Sequence, residues 1–296
     1  MKNNIPILGC DTISLKEVNQ DYTLVNHLKS LGYSVMAVAD GLGSSFESEK
    51  ASKFICENLI QILENTNNEK LELEEIFKQI ASNLAQKFQV ETVEDYYANN
   101  CYRSTLIVVI ETNDTYTIGY VGNGGILHIR GDFNTFPSRI YLPWNAINLL
   151  NPHSVAEEGK NAMYRYMSPD NIEEQYVPSI LSIEKDQHAS GDIIVICSDG
   201  IFSNDEVKIG KDASGNLWIS GEKTLKKLYD HLNHFFLNEN YDTQALKLQI
   251  TSYLQELKDE QLLDDDATLA VSISPRAQEF QSALKEKGNF TNEENN

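Results

Sequence analysis

VMAVADGLGS, residues 35–44, opens with five apolar residues and stops at Asp40-Gly41. A short continuous apolar run closed by a turn signal is the pattern of a strand buried on both faces. Residues 35–39 are therefore predicted as a core strand that delivers Asp40 to its end. Beyond Glu47 the period changes: Ala51, Phe54, Ile55, Leu59, Ile62 and Leu63 fall at helical spacing, with Ser45 as the predicted N-cap and acidic residues in the first turn. The strand-then-Asp-Gly pattern returns at residues 192–200, DIIVICSDG.

Working outward, a second helix is predicted where Ile76, Phe77, Ile80, Leu84 and Phe88 share a face. Ile7, Leu8, Gly9 and Cys10 behind Lys2 resemble a lipoprotein cleavage box, but the apolar stretch before it is about half the needed length, so they are read as a first strand. The β-rich runs TLIVVIE (105–111), TIGYV (117–121) and ILHIR (126–130) are separated by Asn113-Asp114 and by a glycine-rich stretch, and are read as an antiparallel meander. Residues 131–190 are polar and interrupted by five prolines, and are predicted to be irregular. Helical patterns at 222–238 and 242–257 precede a last strand, 267–273, with alternating apolar residues. After Pro275 the chain turns polar and is predicted to be a flexible tail. Helices grouped between sets of antiparallel strands predict an α+β fold rather than a doubly wound parallel sheet.

With 24 Lys+Arg against 44 Asp+Glu, the 296-residue chain carries a net charge of −20. Nucleic-acid binding by counterion release needs cations that are scarce here, so that class is excluded. Four scattered cysteines without a CxxC pair fit a reducing compartment. No apolar run reaches the ~18 residues of a membrane span. A soluble, cytoplasmic, monomeric protein is expected.

The informative residues are aspartates at strand ends. Asp21 precedes an apolar segment, Asp40 and Asp199 close apolar strands and are followed by Gly, and Asp264, Asp265 and Asp266 precede the last strand. Asp-Gly also marks a plain turn, but two such pairs and an acidic triplet match the oxygen ligands that Mg²⁺ and Mn²⁺ prefer. Carboxylates brought to about 4 Å repel by ~4 kcal/mol per pair at an effective dielectric of about 20, so such a cluster must be protonated or metal-filled.

At these positions the sequence resembles the metal-dependent protein phosphatase family, protein phosphatase 2C, and particularly its bacterial members. The resemblance rests on NQD (19–21), VADGLGS (38–44), RSTLIVV (103–109), YVGNGG (120–125), SGDIIVICSDGI (190–201) and DDATLAV (265–271), in the family's order over residues 5–274. It implies one domain, residues 1–275, followed by the tail 276–296. The implied architecture is a central sandwich of two antiparallel β-sheets flanked by pairs of antiparallel helices. It also implies two Mg²⁺ or Mn²⁺ ions at one end of the sandwich. Asp40 would bridge them, with the Gly41 carbonyl on one and Asp21, Asp199 and Asp265 on the other. Asp265 is chosen because it fits the family's Asp-Asp/Asn-x-Thr motif, and Asp264 and Asp266 are its neighbouring alternatives. A water shared by the two ions would attack phosphorus directly, with no Ser or Cys nucleophile.

Three departures accompany the resemblance. Where the family usually has a phosphate-binding Arg, this chain has Lys16, which can pair with phosphate as a point charge but not as a fork; it can also be read as a solvated surface lysine. Leu42 stands where some members carry a His. The family's VGDSR block reads VGNGG, so Asn123 replaces the Asp of a third, weaker metal site by a neutral oxygen. The six histidines make no metal-spaced cluster, and His231 and His234 are read as surface residues. The expected function is a Ser/Thr phosphoprotein phosphatase acting on a kinase or its target. The alternatives are a pseudophosphatase serving as a binding module and a hydrolase of small phosphoesters.

Overall fold

The computed structural model describes residues 5–65, 72–88, 101–131, 146–157, 160–203, 208–211, 217–220, 223–237 and 241–293. Along the chain, strands β1 (Ile7–Ile13), β2 (Asp21–Leu28) and β3 (Tyr33–Asp40) lead into helices α1 (Ser48–Asn65) and α2 (Leu73–Lys87). Next come β4 (Leu106–Glu111), β5 (Thr115–Val121), β6 (Gly125–Ile129), β7 (Ala146–Asn148), β8 (Ser154–Glu157) and β9 (Lys160–Met163). The short helix α3 (Glu173–Tyr176), β10 (Ser179–Glu184) and β11 (Ile193–Cys197) follow, and a 3₁₀ turn (Asp199–Phe202) leads to β12 (Lys208–Lys211) and β13 (Leu217–Ser220). Helices α4 (Lys223–Leu237) and α5 (Thr243–Asp259), strand β14 (Ala267–Ile273) and helix α6 (Pro275–Glu293) complete the described chain.

Two five-stranded antiparallel sheets, ordered β1-β14-β11-β6-β7 and β10-β5-β4-β3-β2, face each other. The two-residue period of a strand sends alternate side chains to opposite faces, and here both faces are apolar. From β3, Met36 and Val38 enter the layer between the sheets, while Val35, Ala37 and Ala39 pack with α1 and α2. From β11, Ile194 and Ile196 enter the same central layer, and Ile193, Val195 and Cys197 pack with α4 and α5. This is the expected α+β sandwich with helices on both outer faces. It explains why all seven residues of β14 are buried where alternation was expected: neither face of that strand meets water.

Four local expectations are corrected. The meander breaks after β5: β4 and β5 pair, but β6 pairs with β11 in the opposite sheet. Gly122, Asn123 and Gly124 carry the chain across, and Gly124 (φ +122°) lies so close to the Cys197 carbonyl that a Cβ would sit 2.5 Å from it. Ser45 is not the N-cap of α1; its Oγ accepts the Arg103 N–H at 3.1 Å, three residues before the helix begins. Residues 146–157 and 160–184 contain four strands and a helical turn rather than irregular chain; residues 132–145 lie outside the described residues.

The fourth correction concerns the segment after Pro275, expected to be a flexible tail, which forms helix α6. Its start follows local chemistry: Pro275 suits the first helical position, and Ser274 Oγ accepts the Ala277 N–H at 3.2 Å as an N-cap. Ala277 packs into the core beside α4 and α5, and buried Gln281 donates from Nε2 to the Gly131 carbonyl at 2.8 Å. Among the described residues no helix is long and apolar enough to cross a membrane.

Candidate metal centre

Three aspartates from three strand ends meet at one end of the sandwich. The antiparallel register of β2 and β3 sets Asp21 opposite Asp40, and Asp199 opens the 3₁₀ turn after β11 in the facing sheet. The Asp40 carboxyl lies beside both Asp21 and Asp199. Burial first, and then the repulsion of Asp21 and Asp199, hold Asp40 well above the usual carboxylate range. Burial pushes Asp21 up to about 7, against hydrogen bonds that favour its anion, and burial raises Asp199 as well. All three carboxyls are thereby biased toward their protonated form.

Backbone and hydroxyl groups fix this cluster. Ser198 Oγ donates to Asp21 Oδ2 at 2.7 Å and accepts the Thr268 N–H at 3.0 Å, tying β2 to the other sheet. The Asp40 N–H donates to Thr105 Oγ1 at 3.0 Å, and the Asp40 carbonyl accepts from Ser104 Oγ at 3.0 Å. Gly41 is pressed against the loop before β2: its N–H donates to the Gln20 carbonyl at 3.0 Å, and a Cβ there would lie 2.8 Å from that same oxygen.

The acidic triplet divides into three roles. Asp264 is exposed, with its N–H on Ser203 Oγ at 2.9 Å. Asp265 faces the cluster edge, where its Oδ1 meets the Lys16 ammonium at 2.5 Å and its charge acts on Asp199. Asp266 is buried and points to the loop before β2, accepting the N–H groups of Leu15 at 2.8 Å, Lys16 at 3.1 Å and Gln20 at 2.8 Å. Lys16 Nζ also donates to Gln20 Oε1 at 2.7 Å, so it lies at the site and not in bulk solvent.

From the chain that crosses between the sheets, Asn123 Nδ2 donates to Asp199 Oδ2. Its Oδ1 is buried and has no hydrogen-bond partner among the described residues. Behind it, the Gly122 N–H donates to Nδ1 of buried His153 at 3.2 Å, and His153 Nε2 meets Ser179 Oγ at 2.9 Å. His231, expected at the surface, pairs with Glu256 Oε2 at 2.7 Å on the helix layer, far from this chemistry in role. Sequence reading named Asp266 only as an alternative ligand, not as the anchor of the Lys16 loop, and missed the roles of Ser198 and His153. The first two are Asp and Ser neighbours of predicted ligands, and His153 carries no local signal at all.

The donor set suits a hard divalent cation in kind: carboxyl oxygens from Asp21, Asp40, Asp199 and Asp265 and the orphaned Asn123 oxygen. Among the described residues no three acidic, His or Cys side chains stand as a finished cage, and Asp265 is paired with Lys16. A cavity of about 520 Å³ lies at the opposite end of the sandwich, lined by Tyr33, Glu111, Lys185 and Arg276 among others, and takes no part in this cluster.

A family model described as protein phosphatase 2C matches residues 9–213. Among solved structures, a bacterial serine phosphatase superposes with a TM-score of 0.61 at 15% identity, covering 90% of this chain and 97% of its own. Serine/threonine phosphatase Stp1 from Staphylococcus aureus gives 0.61 at 16% identity, covering 92% and 97%. The catalytic domain of serine threonine protein phosphatase PstP, solved in complex with two manganese ions, gives 0.55 at 12% identity, covering 91% and 99%. No curated protein matches the chain. At these identities the superpositions establish the fold.

Proposed function

Because the chain belongs to the protein phosphatase 2C family, we propose that it is a Mg²⁺- or Mn²⁺-dependent phosphatase of phosphoserine and phosphothreonine in proteins. The observation that carries this reading is that Asp40 sits beside buried Asp21 and exposed Asp199, three carboxyls from three strand ends gathered at one end of the sandwich. Asp21, Asp40, the Gly41 carbonyl, Asp199 and Asp265 would hold two ions. Bound there, the ions supply an activated water and neutralise charge on the phosphoryl oxygens.

The chain's own residues do the rest. Asn123 fixes one oxygen of Asp199 and leaves its other lone pairs for a cation. The Lys16 ammonium offers a phosphoryl oxygen a single charged contact, weaker than a guanidinium fork. A covalent cysteine route finds no support: Cys197, two residues from Asp199, is fully buried, and burial pushes its thiol far above the reactive range. The proposed setting is cytoplasmic, with a monomeric enzyme acting on a protein kinase or its target.

The test is hydrolysis of p-nitrophenyl phosphate and of a phosphothreonine peptide by the purified protein, with Mn²⁺ and with EDTA. Metal-dependent release of phosphate from both is expected. Release from neither, with Mn²⁺ bound, would leave the scaffold as a binding module. Release from the small ester alone would point to a small-molecule phosphohydrolase.

A further inference from the structure

The aspartate cluster carries its own counter-cation on a tethered loop. Lys16 Nζ sits 2.5 Å from Asp265 Oδ1 and 2.7 Å from Gln20 Oε1, half-exposed at the rim. The loop that presents it is not free to swing. Asp266 Oδ1 accepts the N–H groups of Leu15 and Lys16 and the Ser14 hydroxyl, and Asp266 Oδ2 accepts the Gln20 N–H. Gln20 is anchored in turn by its Nε2 on Ser48 Oγ at 2.9 Å. The ammonium therefore has a short arc of movement between two kinds of anion: the carboxylate it now holds, and any phosphoryl group brought over the aspartates.

Asp265 faces the same choice. Its Oδ1 is engaged by Lys16 at 2.5 Å and by the Asp266 N–H at 2.7 Å, and a divalent cation arriving at the same carboxylate would set two further positive charges beside the ammonium and repel it. Resting on the reading of Asp265 as a metal ligand, we propose that Lys16 occupies Asp265 in the metal-free protein and is released toward the phosphoryl group when a cation takes Asp265. One side chain then couples the two binding events. Coupling of this kind is reciprocal: an anion that draws Lys16 away tightens the metal, and the metal tightens the anion. Arginine would couple them less, because its fork can serve a carboxylate and a phosphate oxygen together. The lysine that departs from the family pattern thus gives this chain a metal-gated phosphate contact.

The test uses the full chain stripped of metal. Calorimetric titration with Mn²⁺ is compared for the wild type, Lys16→Ala and Lys16→Gln, the last keeping the stem and its packing without the charge. Removing the competitor should tighten Mn²⁺ about 1.4- to five-fold in both variants, the span that a partly exposed ion pair carries. Lys16 amine acetylation, read by mass spectrometry on the wild type, should be slow without metal and several-fold faster with Mn²⁺. Unchanged or weaker Mn²⁺ binding in both folded variants, or an acetylation rate indifferent to Mn²⁺, would overturn the proposal. If the wild type binds Mn²⁺ and hydrolyses phosphopeptide while these readouts stay flat, only the gating idea fails; if the wild type binds no Mn²⁺, the metal-centre reading fails and the gating idea with it.

Discussion

Replacing Asp40 by Asn keeps the side chain's shape and removes the one carboxyl of the three that lies beside both others. Turnover with Mn²⁺ should fall at least about 10³-fold if Asp40 is the shared ligand proposed above, while melting in EDTA should stay level or rise because like charges no longer meet. The triplet gives a ranking: Asp265→Asn should abolish activity, Asp264→Asn should be nearly neutral, and Asp266→Asn should cost about 1–3 kcal/mol in urea melts by loosening the Lys16 loop. If Asp264→Asn proves worse than Asp265→Asn, the register of the ligand is wrong. Protons enter the same account. The folded chain holds Asp21 near 7 against an ordinary 3.8, so it keeps a proton that the unfolded chain releases between those values. For this cluster, metal-free stability is present below pH ~4 and declines as pH rises through about 7. Mn²⁺ requires the deprotonated form, so its affinity should climb over the same interval. Urea melts in EDTA and Mn²⁺ titrations at about pH 5 and about pH 8 check both slopes, and flat profiles would contradict this bias toward protonation.

Strands β3, β4, β11 and β14 and helices α1, α2, α4 and α5 were legible because each carries its period in its own residues. The link from β5 to β6 was not. A meander and a sheet crossing have the same local sequence, and the partner that decides between them, β11, lies more than sixty residues downstream. Helix α6 was hidden by a polar composition, although Ser274-Pro275 spelled its start. Asp21, Asp40 and Asp199 showed themselves by their place at strand ends. The work of Asp266 could not be read, since its partners Leu15 and Lys16 are 251 and 250 residues away. Two substitutions test the newly seen elements. Gly124→Ala forces a side chain into a positive-φ turn against the Cys197 carbonyl and should cost about 1–3 kcal/mol; it should also lower kcat, because the same turn aims Asn123 at Asp199. Ser274→Ala removes an acceptor for both Ala277 and Asp192 N–H groups, and should cost about 1–2 kcal/mol in urea melts while leaving metal affinity alone.

Across the whole sandwich, the end opposite the aspartates carries a buried ion pair in the wall of its cavity, Lys185 Nζ to Glu111 Oε1 at 2.7 Å. Lys185→Met alone strands a buried carboxylate and should cost about 3–5 kcal/mol, whereas the double change with Glu111→Leu should recover most of it. Additive losses in that cycle would show that the two groups act separately. The sheet order has a consequence in time. β14 lies between β1 and β11, pairing Ile7 with Ile273 and Ile193 with the same residue. A ribosome delivers Asp21, Asp40 and Asp199 long before the strand that joins their two sheets. Until residue 267 leaves the exit tunnel, β1 and β11 each expose an unpaired apolar edge, the kind of surface that chaperones cover and that aggregates when they do not. Asp265 is made on the threshold of that same strand, so a chain broken off before residue 267 would be adhesive and would lack the strand that joins the two halves of the aspartate cluster.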